Sequence, residues 1–322
     1  MNRFCLIFIL FSLALLSPLK VKAQYDVHFN QYWGLKGFYN PAWAGQTDKL
    51  NISGTYSMQM MGFTRAPRTM FFGADMPFSL FNKKHGAGAG FFSDAVGLFR
   101  NQRTWLQYSY KHQFRKSKSR LGIGIQVGII NVAFDPTDIN LGEVDDDPAF
   151  PKQEESGTSL DFGVGAFYSH PKFYVGFSGQ HLTMPTLELG TTEAGTTSKI
   201  KIDPMVYFTG GYNIQTRNPL VSIQPSMLLQ SDFSSMRLDM TGRVMYTFSE
   251  RVFVGGLTYS PGISFTFSLG ATIRGITVGY AYELYTSKIG VASGSHDLMV
   301  SYAMDINLFK KSKNKHKSVR IL

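Results

Sequence analysis

The side chains able to do chemistry are few and scattered. The stretch 134–157 collects Asp135, Asp138, Glu143, Asp145, Asp146, Asp147, Glu154 and Glu155. Oxygen-rich loops of this kind can hold calcium, but the spacing is not that of an EF-hand and its central glycine is missing. A solvated acidic loop is the simpler reading. The histidines His28, His85, His112, His170, His181, His296 and His316 include no His-x3-His pair and no HExxH run, which argues against a metal centre. No Gly-x-Ser-x-Gly element marks a nucleophile elbow. Gly86-Ala87-Gly88-Ala89-Gly90 superficially resembles a nucleotide turn, but no helix pattern follows it. It reads instead as a glycine-rich strand that neighbours approach closely. These observations point to no enzyme and no cofactor.

A second group consists of charges within alternating segments: Asp161, Arg237, Asp239, Arg243 and Glu283. In Met236–Phe248 the residues Met236, Leu238, Met240, Gly242, Val244, Tyr246 and Phe248 fall on one side. Arg237, Asp239, Thr241, Arg243, Met245 and Thr247 fall on the other. A period of two means a strand, because successive side chains point to opposite faces. The charges could line a pore or pair with one another in a filled lumen.

The same alternation recurs along most of the chain. Leu121, Ile123, Ile125, Val127 and Ile129 oppose Gly122, Gly124, Gln126 and Gly128; Phe265, Phe267 and Leu269 oppose Ser264, Thr266 and Ser268. Small and polar groups on one face with large apolar groups on the other invert the order of a packed soluble core. Lipid outside and water inside fits that inversion, and a closed barrel satisfies every backbone group in lipid. About fourteen strands are expected, near 49–59, 67–77, 86–94, 101–115, 120–133, 158–170, 172–181, 203–213, 219–230, 236–248, 251–259, 263–274, 276–286 and 295–309. The fold class is therefore all-β, a transmembrane antiparallel up-and-down barrel. Connections after even strands are short, whereas 134–157 and 182–202 follow odd ones. That asymmetry places both ends of the barrel in the periplasm and the long loops outside.

Composition agrees: 32 glycines, 14% aromatic residues and only 17% charged ones suit many strands and tight turns. Arg3, the apolar run Phe4–Leu16 and Val21-Lys22-Ala23 form a secretory signal over 1–23. Cys5 lies inside it, so the mature chain has no thiol chemistry. Residues 24–48 show no period and are read as an irregular segment, the barrel occupies 49–309, and 310–322 is a basic tail. Most of the net charge of +10 sits in the signal and the tail. The body is nearly neutral, and a nucleic-acid groove is not supported. The tail is either a solvated end or a contact with anionic surfaces.

Tyr39-Asn40-Pro41-Ala42-Trp43-Ala44-Gly45 resembles the N-P-A-x-A-G signature of the PorP/SprF family. The resemblance continues through Arg65-Ala66-Pro67-Arg68-Thr69, Asp75-Met76-Pro77 and Gly86–Gly90. It returns at Gly279-Tyr280-Ala281-Tyr282-Glu283, Gly294-Ser295-His296-Asp297-Leu298 and Ser301-Tyr302. It implies an outer-membrane component of the type IX secretion system of Bacteroidota, supporting export or surface attachment of secreted proteins and in some members gliding motility. The partners implied are secreted cargo, other secretion components and outer-membrane lipid. A channel for small or hydrophobic solutes would need the same wall. Asn40, Pro41, Ala42, Ala44 and Gly45 are candidates either for a partner contact or for a structural seat of the N-terminal segment. That segment and the basic tail are expected to face periplasmic partners.

Overall fold

The computed structural model describes residues 26–114, 118–136, 153–191, 197–286 and 293–305. The stretch 1–23 expected to be a signal, the acidic run Asp138–Asp147 and the basic residues 310–322 lie outside the described residues. Fourteen antiparallel strands form the wall: β1 (Lys49–Met58), β2 (Arg68–Leu80), β3 (Lys83–Val96), β4 (Phe99–Gln113), β5 (Arg120–Phe134), β6 (Glu155–Ser169), β7 (Phe173–Gln180), β8 (Met205–Tyr212), β9 (Val221–Ser231), β10 (Met236–Phe248), β11 (Arg251–Ser260), β12 (Ser264–Ile273), β13 (Ile276–Tyr285) and β14 (Ser295–Asp305). Each pairs with its sequence neighbours, and β1 pairs with β14 from Lys49↔Asp305 to Met58↔His296. The sheet therefore closes without a free edge, which is how strands satisfy their backbone groups in lipid.

The alternation of residue size decides the two faces. On β12, Phe265, Phe267 and Leu269 are 37%, 55% and 69% exposed, while Ser264, Thr266 and Ser268 are buried. On β5, Ile123, Ile125, Val127 and Ile129 face outward and Gly122, Gly124, Gln126 and Gly128 inward. Large apolar groups thus coat the exterior, and the buried aromatic core lies inside the ring of strands.

Short turns at 81–82, 249–250 and 274–275 share one mouth with Lys49 and Asp305. The long connections share the other. There β7 is short: β5 and β6 pair over fifteen residues from Arg120↔Ser169 to Phe134↔Glu155, but β6 pairs with β7 only from Val164 to Ser169. Leu182 donates its amide to the Phe162 carbonyl at 3.0 Å beyond that point. The stretch expected to be a free outward loop, 182–202, instead contains a hairpin of Thr186–Thr191 and Thr197–Lys201. Its Leu187 and Ile200, with Ile202, pack on Ile130 and Val132 of the inner face of β5. The cause is that β5 carries apolar groups inward near this mouth, and they need cover.

Candidate functional site

Residues 26–48 run through the lumen. The expectation that this segment faces periplasmic partners is corrected by burial: Phe29, Tyr32, Leu35, Phe38 and Tyr39 are each 2% exposed or less. Phe38 meets Phe71, Phe92 and Trp105 of the wall at ring separations of 5.4, 5.8 and 5.9 Å. The segment begins beside His181 at the long-connection mouth and leaves beside Lys84 and Arg120 at the opposite mouth. The two ends of the barrel, Lys49 and Asp305, share one mouth, whereas Asp26, where the described part of the segment starts, lies at the other. Irregular backbone is tolerated at membrane depth only where protein surrounds it. Here short helical turns at Tyr32–Gly34, Lys36–Tyr39 and Pro41–Trp43 satisfy part of the backbone, and wall side chains satisfy more.

The wall hydrogen bonds follow the segment residue by residue. Asn30 donates its amide to Asp297 at 2.8 Å, and Tyr32 donates its hydroxyl to Thr241 at 3.0 Å. Gln107 donates to the Gly37 carbonyl at 2.8 Å, Gln180 to that of Phe38 at 2.8 Å and Ser178 to that of Tyr39 at 2.5 Å. Farther along, Ser109 donates to the Ala44 carbonyl at 2.6 Å, Lys111 to that of Ala42 and Arg120 to that of Gln46 at 2.8 Å.

The motif Asn40–Gly45 is the tightest part of the seat. Asn40 caps the turn after it by accepting from the Ala42 amide at 2.9 Å, and donates to the Ala166 and Phe177 carbonyls at 3.0 and 3.2 Å. Pro41 starts that turn, where its missing N–H costs nothing. Ala42 and Ala44 are fully buried. A Cβ on Gly124 would lie 2.6 Å from Ala42 Cα, one on Gly122 2.8 Å from its oxygen, and one on Gly165 3.0 Å from Pro41 Cδ. Gly45 adopts φ +65° and donates to Asp75 at 2.9 Å; a Cβ there would be 2.5 Å from Gly86 Cα. The small inward residues of β3, β5 and β6 are therefore a groove cut for this motif. The five motif residues sit inside the barrel and present no outer surface.

The inward charges meet the same segment. Arg237 donates to Asp239 and Glu283, each at 3.1 Å, and His28 stands 3.5 Å from Asp239. Ser264 donates to Glu283 at 2.6 Å. Asp161 faces His181 at 3.2 Å, and the other ring nitrogen of His181 faces Asp26 at 3.2 Å. Arg103 lies 4.0 Å from Asp26 and donates to Gln180 at 2.9 Å, while Tyr207 donates to Asp26. Burial alone would raise the Asp26 carboxyl; the neighbouring His181 and Arg103 charges and the His181 and Tyr207 hydrogen bonds together hold it below the usual range. Burial alone would lower His181, but Asp26 and Asp161 outweigh it and the imidazole is raised. Arg243 stands apart, stacked on Trp33 at 4.9 Å. At the exit, Asp48 receives Lys84 and Arg120, each at 3.0 Å.

Sequence reasoning named Asp161, Arg237, Asp239, Arg243 and Glu283 as candidates for the lumen and did not single out Arg103, His181 or Asp297 as such. Arg103 and Asp297 carried the same period-two signal on their own strands. Asp26, His28 and Lys36 lie in a segment without period and gave no signal. Between the segment and β1, β2, β4 and β14 remains a cavity of about 120 Å³, lined by Leu35, Trp43, Asn51, Asp75, Trp105 and Ser301 among others. Pockets for drug-sized ligands run to about 300–1,000 Å³, so this one suits water or a very small solute. Among the described residues no three metal-ligating side chains converge.

A family model described as type IX secretion system membrane protein PorP/SprF matches residues 21–302. No curated protein matches the chain by sequence. Among solved structures, the CymD monoaromatic hydrocarbon channel is 12% identical with a TM-score of 0.51, covering 89% of this chain and 95% of that one. The Pseudomonas putida toluene transporter TodX is 8% identical with a TM-score of 0.48, covering 87% and 95%. A mutant porin of Rh. blastica is 11% identical with a TM-score of 0.31, covering 79% and 99%. At such identity the first likeness speaks to the barrel fold alone.

Proposed function

Because the chain belongs to the PorP/SprF family of type IX secretion system membrane proteins, we propose that it acts in the outer membrane as a plugged, non-enzymatic docking barrel. In this reading it holds secreted cargo or other secretion components and thereby supports export or attachment at the cell surface, with gliding motility as one outcome. The observation that carries the proposal is the seat of Asn40–Gly45. A lumen occupied along β2 to β7 by the chain's own backbone at van der Waals distance leaves the mouths as the working surfaces. The long-connection mouth would face outward, with the 186–201 hairpin as its rim, and the short-turn mouth and basic tail would face the periplasm.

The test is photo-crosslinking in intact cells from the hairpin positions Glu188 and Lys199, whose side chains are 62% and 57% exposed, followed by mass spectrometry. A secreted protein or a secretion component is the expected adduct. The alternative, a channel for small or hydrophobic solutes, requires the plug to move. Solute-dependent conductance of the purified barrel, with no crosslinked partner, would replace the docking reading.

A further inference from the structure

Lys36 and Arg243 form the anomaly in this lumen. The other buried cations just described each have an oxygen acceptor: Arg237 has Asp239 and Glu283, Arg103 has Asp26, and Lys111 has the Ala42 carbonyl. Lys36 rests between the rings of Trp43 and Tyr174, 4.6 and 4.4 Å from their centroids, and Arg243 lies over Trp33. The group within electrostatic reach of Lys36 is Arg243, another cation; around Arg243 stand the tyrosines Tyr174 and Tyr32. Arg243 is 8% exposed, and its Nε is buried without a hydrogen-bond partner. Among the described residues no carboxylate pairs with either side chain. Stacking on aromatic faces offsets only part of the cost of burying a charge, and two adjacent cations add repulsion.

The place is open on one side. From Asn40 onward the segment lies against β2 to β7, while Met245, Val252, Val254 and Gly256, which face inward on β10 and β11, stay partly accessible, as do Trp33, Lys36 and Trp43. Solvent therefore reaches the pair from the short-turn mouth. We propose that Lys36 and Arg243, framed by Trp33, Trp43 and Tyr174, bind a small organic carboxylate entering from that mouth. The guanidinium supplies planar donors that fit a carboxylate, the ammonium supplies a second charge, and the rings supply apolar walls for the ligand's body. Hydrogen bonds to charged groups of this kind correspond to affinity changes of roughly 10- to 100-fold when one partner is removed.

Purified full-length barrel is titrated with benzoate while tryptophan fluorescence is followed, since Trp33 and Trp43 frame the site. Benzamide serves as the neutral counterpart and inorganic phosphate as the competing oxyanion. The expected result is a saturable response to benzoate, none to benzamide, at least about tenfold weaker affinity in Arg243→Gln and Lys36→Met, and retention in Arg243→Lys. Equal responses to benzoate and benzamide overturn the site, as does unchanged affinity in both charge-removing variants. Phosphate binding more tightly than benzoate overturns the organic carboxylate. Should a variant fail to assemble, as judged by heat-modifiable migration, the comparison of benzoate with benzamide on the unmodified chain still decides.

Discussion

Gly124 lies so near Ala42 that a side chain cannot be added without moving one of them: a Cβ there would stand 2.6 Å from Ala42 Cα and 2.5 Å from the Pro41 carbonyl carbon. Both contacts are to backbone, which has no rotamer to yield. Gly124→Val should therefore lower stability by about 1–3 kcal/mol, as overpacking does. It should also make residues 26–48 accessible to protease in the assembled barrel. Gly242→Ala is the control, because a Cβ at Gly242 meets nothing within 4 Å. Heat-modifiable migration and limited proteolysis read the two effects; equal behaviour of the two variants would reject the groove.

Asp26 joins the threaded segment to Arg103, His181 and Tyr207 at one buried point. Asp26→Ala leaves Arg103 and His181 facing one another without their shared carboxylate. Breaking a buried pair costs about 3–5 kcal/mol, and a loss on that scale is expected. Replacing Arg103 by Met in the Asp26→Ala background should recover part of it. The recovery, measured as a thermodynamic cycle in urea, distinguishes a charge effect from lost packing; additive losses would deny the coupling.

The barrel was legible in the sequence because the period of two and the size inversion are local signals. Ser264, Thr266 and Ser268 against Phe265, Phe267 and Leu269 state the two faces without reference to any other strand. The threading was not legible, because it depends on complementarity between distant residues. Gly122, Gly124 and Gly165 show as small inward residues whether water or Ala42 and Pro41 stand beside them. Likewise Arg237, Asp239 and Glu283 alternate correctly in an open pore and in a filled one. Tyr32 and Phe38 gave no period, since short turns and packing inside a cylinder impose none. The hairpin at 186–201 shows no strand signal of its own, because its strands are five or six residues long and its partner surface, Ile130 and Val132, lies fifty or more residues earlier in the chain.

Asp48 fixes the point where the segment leaves the lumen and becomes β1. Partial burial alone would raise its carboxyl, but hydrogen bonds from Lys84 and Arg120 and their charges lower it. A carboxyl lowered in the folded state adds stability above its unfolded value, the ordinary 3.8, and loses it as pH falls through the folded value. Acidification below about pH 4 should therefore loosen the exit. The exposed setting keeps the effect small and sensitive to salt. Asp48→Asn should remove that part of the acid dependence while leaving neutral-pH assembly intact. Melting profiles at neutral and acid pH, at low and high salt, check this, and an unchanged acid dependence in Asp48→Asn would assign it elsewhere.

Leu269 projects from the middle of β12 and is 69% exposed, whereas Phe248 ends β10 at the short-turn rim and is 57% exposed. In water the two surfaces would be equivalent. In a bilayer they differ, because the cost of a charge depends on depth: about 2–4 kcal/mol for Arg at the midplane and about 0–1 near the interface. Leu269→Arg should therefore destabilise the barrel in lipid vesicles far more than Phe248→Arg. In a detergent micelle, whose belt adapts around a charge, the gap should narrow. Reversible urea unfolding in both media measures it. If the two substitutions cost the same in vesicles, the apolar band is not facing hydrocarbon, and neither the filled lumen nor its mouths could do the work assigned to them.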